Sequence, residues 1–234
     1  MRAVEVSDAT LQRAIESDAY RQELGWDHRH LNLAIEKADG FDDEFGTDTT
    51  GVDITTPPKT YVPILPRMFH GALKQIALPY EEYVFVDLGV GKGRAILLAS
   101  DYPFKRCTGV ELAPSHNEVA LRNFAKYRSP AQRCTKLDSV CGDATTFEWP
   151  NEPLFIHFFQ SFSPEILTEV LARLRESLEA RPRNVAFFYT QPATPEPLEQ
   201  CGFLKRRGPQ GGPSTFPFIV KDGVYPWALF ANFD

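Results

Sequence analysis

The sequence predicts an α/β protein: a mostly parallel sheet with helices on both faces, a helical extension before it and a hairpin closing it. Three observations carry that prediction. From Tyr83 onward, strand-like apolar runs alternate with helix-like segments, the pattern of a parallel sheet covered on both faces. The first of these runs, Tyr83-Val84-Phe85-Val86, meets Asp87 and turns through Gly89, Gly91 and Gly93 into the apolar stretch Ala95 to Ala99. The tail then carries two strand-like segments with no helix-length stretch between them, which reads as a hairpin.

The elements follow in order. Residues 8–38 place Leu11, Ile15, Leu31 and Ile35 at helical spacing with a break near Gly25, predicting two helices outside the core unit. The polar stretch 40–51 has turn chemistry throughout, but Phe41 and Phe45 give it anchors, so an ordered loop is expected. Pro57-Pro58 ends it, and 61–78 resumes a helical pattern. The division expected is a helical extension and lid loop over 1–60 and the α/β domain over 61–234.

Strand one is placed at 83–87 with its helix at 93–100, strand two at 106–111 with a helix at 114–126, and a short third strand at 136–140. Strand four is 154–159. Pro164, at the first helical position with Glu165 beside it, then opens an amphipathic helix carrying Ile166, Leu167, Val170, Leu171, Leu174 and Leu178. Strand five is 185–189. The tail segments 202–207 and 225–233 are separated by a loop holding Gly208, Pro209, Gly211, Gly212 and Pro213.

Composition narrows the function class. At 234 residues, 43% apolar and 24% charged, the chain can bury a sizeable core as one large domain. No apolar run approaches the roughly 18 residues that span a bilayer, and the acidic start, Met1 to Asp8, lacks a secretion-signal core. The four cysteines (107, 134, 141 and 201) form no CxxC pair, which favours reduced structural thiols over a disulfide or metal site. A net charge of −6 argues against a nucleic-acid partner, and Lys205-Arg206-Arg207 is too short a basic cluster to reverse that. A cytoplasmic protein with a small-molecule or protein substrate is expected; the oligomeric state is left open.

The glycine loop carries the chemistry. A dinucleotide fingerprint needs G-x-G-x-x-G, but here the third glycine comes one place early and Arg94 fills its position. No Gly-Lys-Ser/Thr follows, which excludes a Walker loop. Instead, three carboxylates sit at strand ends. Asp87 closes strand one, where it can pair with an ammonium group. Glu111 closes strand two, 22 residues after Gly89, where it can accept both hydroxyls of a ribose. Asp143 follows strand three in Gly142-Asp143-Ala144, placed to meet an adenine edge. Lys92 and Arg94 are expected to be surface charges or salt-bridge partners. Three acids without a basic clamp suit a cationic nucleoside better than a pyrophosphate.

On Val86-Asp87-Leu88-Gly89-Val90-Gly91-Lys92-Gly93, Gly109-Val110-Glu111 and Cys141-Gly142-Asp143-Ala144, together with the closing hairpin, the chain resembles the class I S-adenosylmethionine-dependent methyltransferases over about residues 60–233. The resemblance implies a Rossmann-like, seven-stranded, mostly parallel sheet with an antiparallel last strand, and S-adenosyl-L-methionine as cofactor. It further implies that Asp87, Gly89, Val90, Gly91 and Gly93 approach the methionyl part, Glu111 the ribose, Asp143 and Ala144 the adenine, and that Gln160 faces the cofactor. The stretch 41–51 and Tyr61-Val62-Pro63 are similar to a lid found before the core in bacterial members of the family.

After strand four the chain departs from the family. Many relatives acting on amide or base nitrogens carry Asn/Asp-Pro-Pro-Tyr/Phe there, where this chain has Gln160-Ser161-Phe162-Ser163-Pro164. That departure counts against DNA-base and glutamine methylation. The segment from Phe155 to Glu165 is also similar to the non-SET histone lysine methyltransferases. The activity implied is transfer of a methyl group to an oxygen or nitrogen acceptor by in-line displacement, in which the protein chiefly aligns the acceptor and excludes water. Candidates to touch the acceptor are Gln160, Tyr61 and Tyr189. His157 is the candidate base, although a core histidine is the better reading of its place inside an apolar strand. The alternatives are an inactive cofactor-binding or partner-binding scaffold, a protein lysine methyltransferase, and a nicotinamide oxidoreductase.

Overall fold

The computed structural model describes residues 7–24, 63–208 and 226–234. The expected helix around Leu31 and Ile35, the 40–51 loop, Tyr61 and the glycine- and proline-containing loop after Gly208 lie outside the described residues. Two short helices come first, α1 (Asp8–Glu16) and α2 (Asp18–Glu23), capped by the Ser7 and Ser17 hydroxyls, which accept from the N–H of Thr10 and Tyr20. Helix α3 (Pro66–Leu73) starts on a proline at its first turn, where no N–H is needed. There follow β1 (Val84–Leu88), α4 (Arg94–Ala99), β2 (Arg106–Glu111), α5 (Pro114–Lys126), β3 (Val140–Cys141), β4 (Leu154–Phe158), α6 (Pro164–Ala180) and β5 (Val185–Thr190). A short helix α7 (Glu196–Gln200) and strands β6 (Lys205–Arg206) and β7 (Trp227–Ala231) complete the described chain.

The sheet has seven strands among the described residues, in the order β3-β2-β1-β4-β5-β7-β6. The pairs among β1 to β5 are parallel, while β7 runs antiparallel to both β5 and β6. The closing hairpin and helices on both faces therefore stand as the sequence predicts. Two details differ. The third strand is later and shorter than expected, because 134–139 touches β2 through a single bridge, Cys107 to Leu137, before pairing begins at Val140. Helix α7 was not expected. It forms on a proline-initiated turn that buries Leu198.

Strand alternation sorts the core into two layers. Phe85, Cys107, Phe155, Ala186 and Phe188 face α3, α4 and α5, and Leu11 and Ala14 of α1 are buried in the same cluster. Val84, Val86, Leu88, Leu154, Ile156, Phe158, Val185, Phe187 and Tyr189 face the other way, toward Leu167, Val170, Leu171 and Leu174 of α6. Strands buried on both sides need apolar residues at every position, which explains the near-continuous runs in the sequence. Phe69 of α3 is the hub of the first layer, with ring centroids 5.9 Å from Phe85 and 6.2 Å from Phe188. Fully burying a ring of this size contributes about 2 kcal/mol.

All four cysteines are free thiols. Burial pushes the Cys107 thiol up, while its hydrogen bond to Cys134 brings the latter down to about 7. Among the described residues, no helix is long and apolar enough to cross a membrane.

One glycine sets how closely β1 and the loop after it approach β2. Gly109 pairs with Asp87, and a Cβ there would lie 2.4 Å from both the Asp87 carbonyl oxygen and Val90 Cγ2. Backbone cannot yield cheaply. Gly109→Ala is therefore expected to destabilise the fold by about 2 kcal/mol or more, seen as a lower urea midpoint with an unchanged slope; a midpoint equal to that of the parent protein would contradict the tight approach.

Candidate functional site

The chain leaves β1 through three left-handed glycines, Gly89 (φ 82°), Gly91 (φ 56°) and Gly93 (φ 96°). A side chain is disfavoured in that backbone region, and glycine is not. Space is short as well. A Cβ on Gly89 would meet Ser161 Cβ at 2.3 Å, and one on Gly93 would meet the Phe124 ring at 2.6 Å. The loop is tied to β2 by the N–H groups of Gly89 and Val90, which donate to the Val110 carbonyl at 2.9 and 3.2 Å.

Glu111 completes that tie. Its Oε2 accepts from the Gly91 N–H at 2.7 Å and its Oε1 from the Ala113 N–H at 2.9 Å, with the side chain nearly buried. An ionised carboxylate offers roughly four acceptor positions, so two remain for a ligand. His116 Nδ1 approaches Oε1 at 4.0 Å. Beyond β2 the surface is apolar: Leu112 is 72% exposed and Val140 48% exposed, and among the described residues a Cβ on Gly142 would meet nothing within 4 Å.

Asp143 is exposed and caps the short turn 144–146, its Oδ1 accepting from the Thr145 N–H and hydroxyl, both at 2.8 Å. Those two bonds hold its carboxyl below the usual range. Ala144 lies partly buried at the same corner.

The Asp87 carboxylate turns inward. Its Oδ1 lies 2.7 Å from His157 Nδ1, and His157 Nε2 lies 3.0 Å from Thr190 Oγ1. An ionised carboxylate only accepts, so Nδ1 carries the proton in that contact. The chain Asp87–His157–Thr190 spans β1, β4 and β5 on the face toward α3, and all three residues are buried. The imidazole is packed by Phe69 at 5.7 Å, Phe85 at 6.1 Å and Phe188 at 5.4 Å. Both ring nitrogens of the candidate base are thus engaged within the core.

Gln160 stands just past β4 in left-handed backbone (φ 49°), and its Nε2 donates to the Gln191 carbonyl at 2.6 Å. Tyr189 goes elsewhere. It is 1% exposed in the layer under α6, its ring 4.9 Å from Phe158 and its hydroxyl 3.4 Å from Thr194 Oγ1. The structure does not bring it to the glycine loop, because alternation along β5 turns it to the opposite face from His157 and Thr190. Of the two readings given for Arg94, a surface charge or a salt-bridge partner, the structure excludes the first: it is 2% exposed at the first turn of α4. Lys92 is partly exposed, and its carbonyl accepts from Asn123 Nδ2 at 2.8 Å. Tyr61 lies outside the described residues.

Three residues join the site that sequence reasoning did not select: Ser161, Thr190 and Gln191. The available signal was position alone, since Ser161 follows β4 by a few residues, and Thr190 and Gln191 end β5.

No protein-family profile and no curated protein matches this chain. Solved structures do. The PH0226 protein from Pyrococcus horikoshii OT3 superposes with a TM-score of 0.50 at 16% identity, covering 82% of this chain and 98% of that one. An RNA methyltransferase from Salinibacter ruber, in complex with S-adenosyl-L-homocysteine, gives 0.44 at 16% identity over 73% of this chain and 92% of that one. A SAM-dependent methyltransferase from Methanosarcina mazei gives 0.44 at 10% identity over 68% and 95%. At such identities the likeness is one of fold, and the two lower scores add nothing to it. The strand order with its antiparallel β7, and the glycine turn between β1 and α4, are the arrangement that the sequence resemblance implied. Among the described residues the chain has a Rossmann-like fold, a seven-stranded, mostly parallel sheet with an antiparallel β7 and helices on both faces.

Proposed function

We propose that this protein is an S-adenosylmethionine-dependent methyltransferase acting on a small-molecule or protein acceptor. One observation carries the reading: Glu111 holds the glycine loop through Gly91 with acceptor positions to spare, beside the apolar corner formed by Leu112, Val140 and Gly142. A ribose with two vicinal hydroxyls suits the carboxylate, and a flat purine suits the apolar corner. The donor set fits the group in charge as well. Asp87 and Glu111 lie at the ligand end of the sheet, which favours a cationic sulfonium over a pyrophosphate.

The cofactor, when bound, supplies a methyl group already activated for displacement. The chain's own part is to bind, orient and keep water out. Glu111 fixes the loop and accepts the ribose. Asp87 presents negative charge for the cofactor's ammonium group, and His157 holds that carboxylate in one orientation through a bond protected by three aromatic rings. His157 therefore acts as a positioning residue. The four free thiols support a cytoplasmic setting for this activity, and the net charge of −6 supports an acceptor other than nucleic acid.

Three outcomes are expected. Tritium from labelled S-adenosylmethionine should enter one fraction of a source-cell lysate, sorted into protein, nucleic acid and small molecules; cofactor binding without transfer would instead favour an inactive scaffold. Glu111→Ala should weaken S-adenosylhomocysteine binding by more than about tenfold, roughly 1.4 kcal/mol, and an unchanged calorimetric affinity would remove Glu111 from the site. His157→Leu should lower stability by about 3–5 kcal/mol, because it leaves the Asp87 carboxylate buried without its partner. A urea midpoint within error of the parent protein would show that the pair matters little.

A further inference from the structure

The turn that carries the chain from β1 into α4 is held by three hydrogen bonds, one of them from the helix packed behind it. Glu111 accepts from the Gly91 N–H at 2.7 Å. The Gly93 N–H donates to the Val90 carbonyl at 2.9 Å and closes the four-residue turn 90–93. From α5, Asn123 Nδ2 donates to the Lys92 carbonyl at 2.8 Å. A carbonyl only accepts, so the amide N–H2 of Asn123 is the group that faces it.

Asn123 is 4% exposed on the packed face of α5. A polar side chain is costly to bury without a hydrogen bond, and an apolar one would meet the packing demand alone. Its neighbours close on the same turn. A Cβ on Gly93 would lie 2.6 Å from the Phe124 ring and 3.2 Å from Ala120 Cβ. The turn is gripped between β2 and α5.

A trans peptide unit is planar, and its C=O and N–H point to opposite sides. Both ends of the Lys92–Gly93 unit are bonded, the C=O to Asn123 and the N–H to Val90. Gly93 has no Cβ to resist rotation of that unit, so its orientation depends on those bonds. We infer that Asn123 is a positioning residue of the candidate cofactor site: by holding the Lys92 carbonyl toward α5, it gives the glycine turn a single shape for the ligand to meet. The inference rests on the methyltransferase reading above and deepens it. Glu111 combines a grip on the turn with acceptor capacity for a ribose, whereas Asn123 supplies the grip alone and acts through the backbone. Cofactor affinity then depends on preorganisation by a residue of α5 that the cofactor does not touch.

Two substitutions of similar size test this. Asn123→Leu keeps the volume and removes the donor. Asn123→Asp keeps the shape and makes the donor depend on pH: the protonated carboxyl donates to the Lys92 carbonyl, while the carboxylate repels it. Burial raises the pKa of a carboxyl, so the donor is present near about pH 5.5 and gone near about pH 9. Calorimetry at both pH values gives the affinity for S-adenosylhomocysteine relative to the parent protein. Mass spectrometry of the unliganded protein gives amide exchange across 88–97 and across β5. Asn123→Leu should lose at least about tenfold in affinity at both pH values, with faster exchange across 88–97 and unchanged exchange across β5. Asn123→Asp should lose as much at the higher pH and return to within about threefold of the parent protein at the lower. A loss in Asn123→Asp that ignores pH, or faster exchange in both segments, would make Asn123 a packing residue and overturn the assignment. Unchanged affinity in both variants would overturn it too, while leaving the methyltransferase reading in place. If the parent protein binds no S-adenosylhomocysteine, that reading falls and this inference with it.

Discussion

A carboxylate buried in the middle of a sheet has to be answered by its neighbours, and the 2.7 Å contact between Asp87 and His157 is that answer. Desolvating an ionised group is costly unless it is paired and hydrogen-bonded. Asp87 and His157 are register partners on β1 and β4, so the strands must align as they do for the pair to form. Thr190 takes the far side of the imidazole and carries the same constraint into β5. Phe69, Phe85 and Phe188 then close over the ring. One polar chain across three strands thereby sets the geometry of the carboxyl ends of β1, β4 and β5.

The glycine loop depends on that end being fixed. Its backbone leans on β2 through the Val110 carbonyl and on the Glu111 carboxylate through Gly91. Gly109 lets Val90 and Asp87 come close enough for both contacts. In the proposed function, binding and folding use the same atoms here. Glu111 holds the loop with two acceptor positions of its carboxylate, and under the proposed function the remaining ones would accept a ribose, so a change there would alter both.

Much of the fold was legible in the sequence because a sheet buried on both faces leaves a blunt signature. The runs at 84–88, 106–111, 154–158 and 185–190 are apolar at nearly every position, and the helices between them open on Pro114 and Pro164. The third strand was legible only roughly, since an edge strand of two residues, both exposed, has no buried pattern to show. The carboxylates Asp87 and Glu111 were legible by their place at strand ends. Their partners were not: nothing in a linear sequence says that His157 points to Asp87 rather than to solvent, or that Tyr189 turns to the layer under α6.

The sequence by itself determined the α/β class, the glycine turn and the order of elements, because strand burial, turn conformation and helix initiation are local demands that each residue type either meets or fails. Only the tertiary structure decided which polar groups meet. The Asp87–His157–Thr190 chain, the burial of Arg94 and the left-handed Gln160–Gln191 pair join residues on different strands or hang on packing between layers. Backbone strain and the pairing of polar groups are properties of the folded surroundings. They have no counterpart in residue identity.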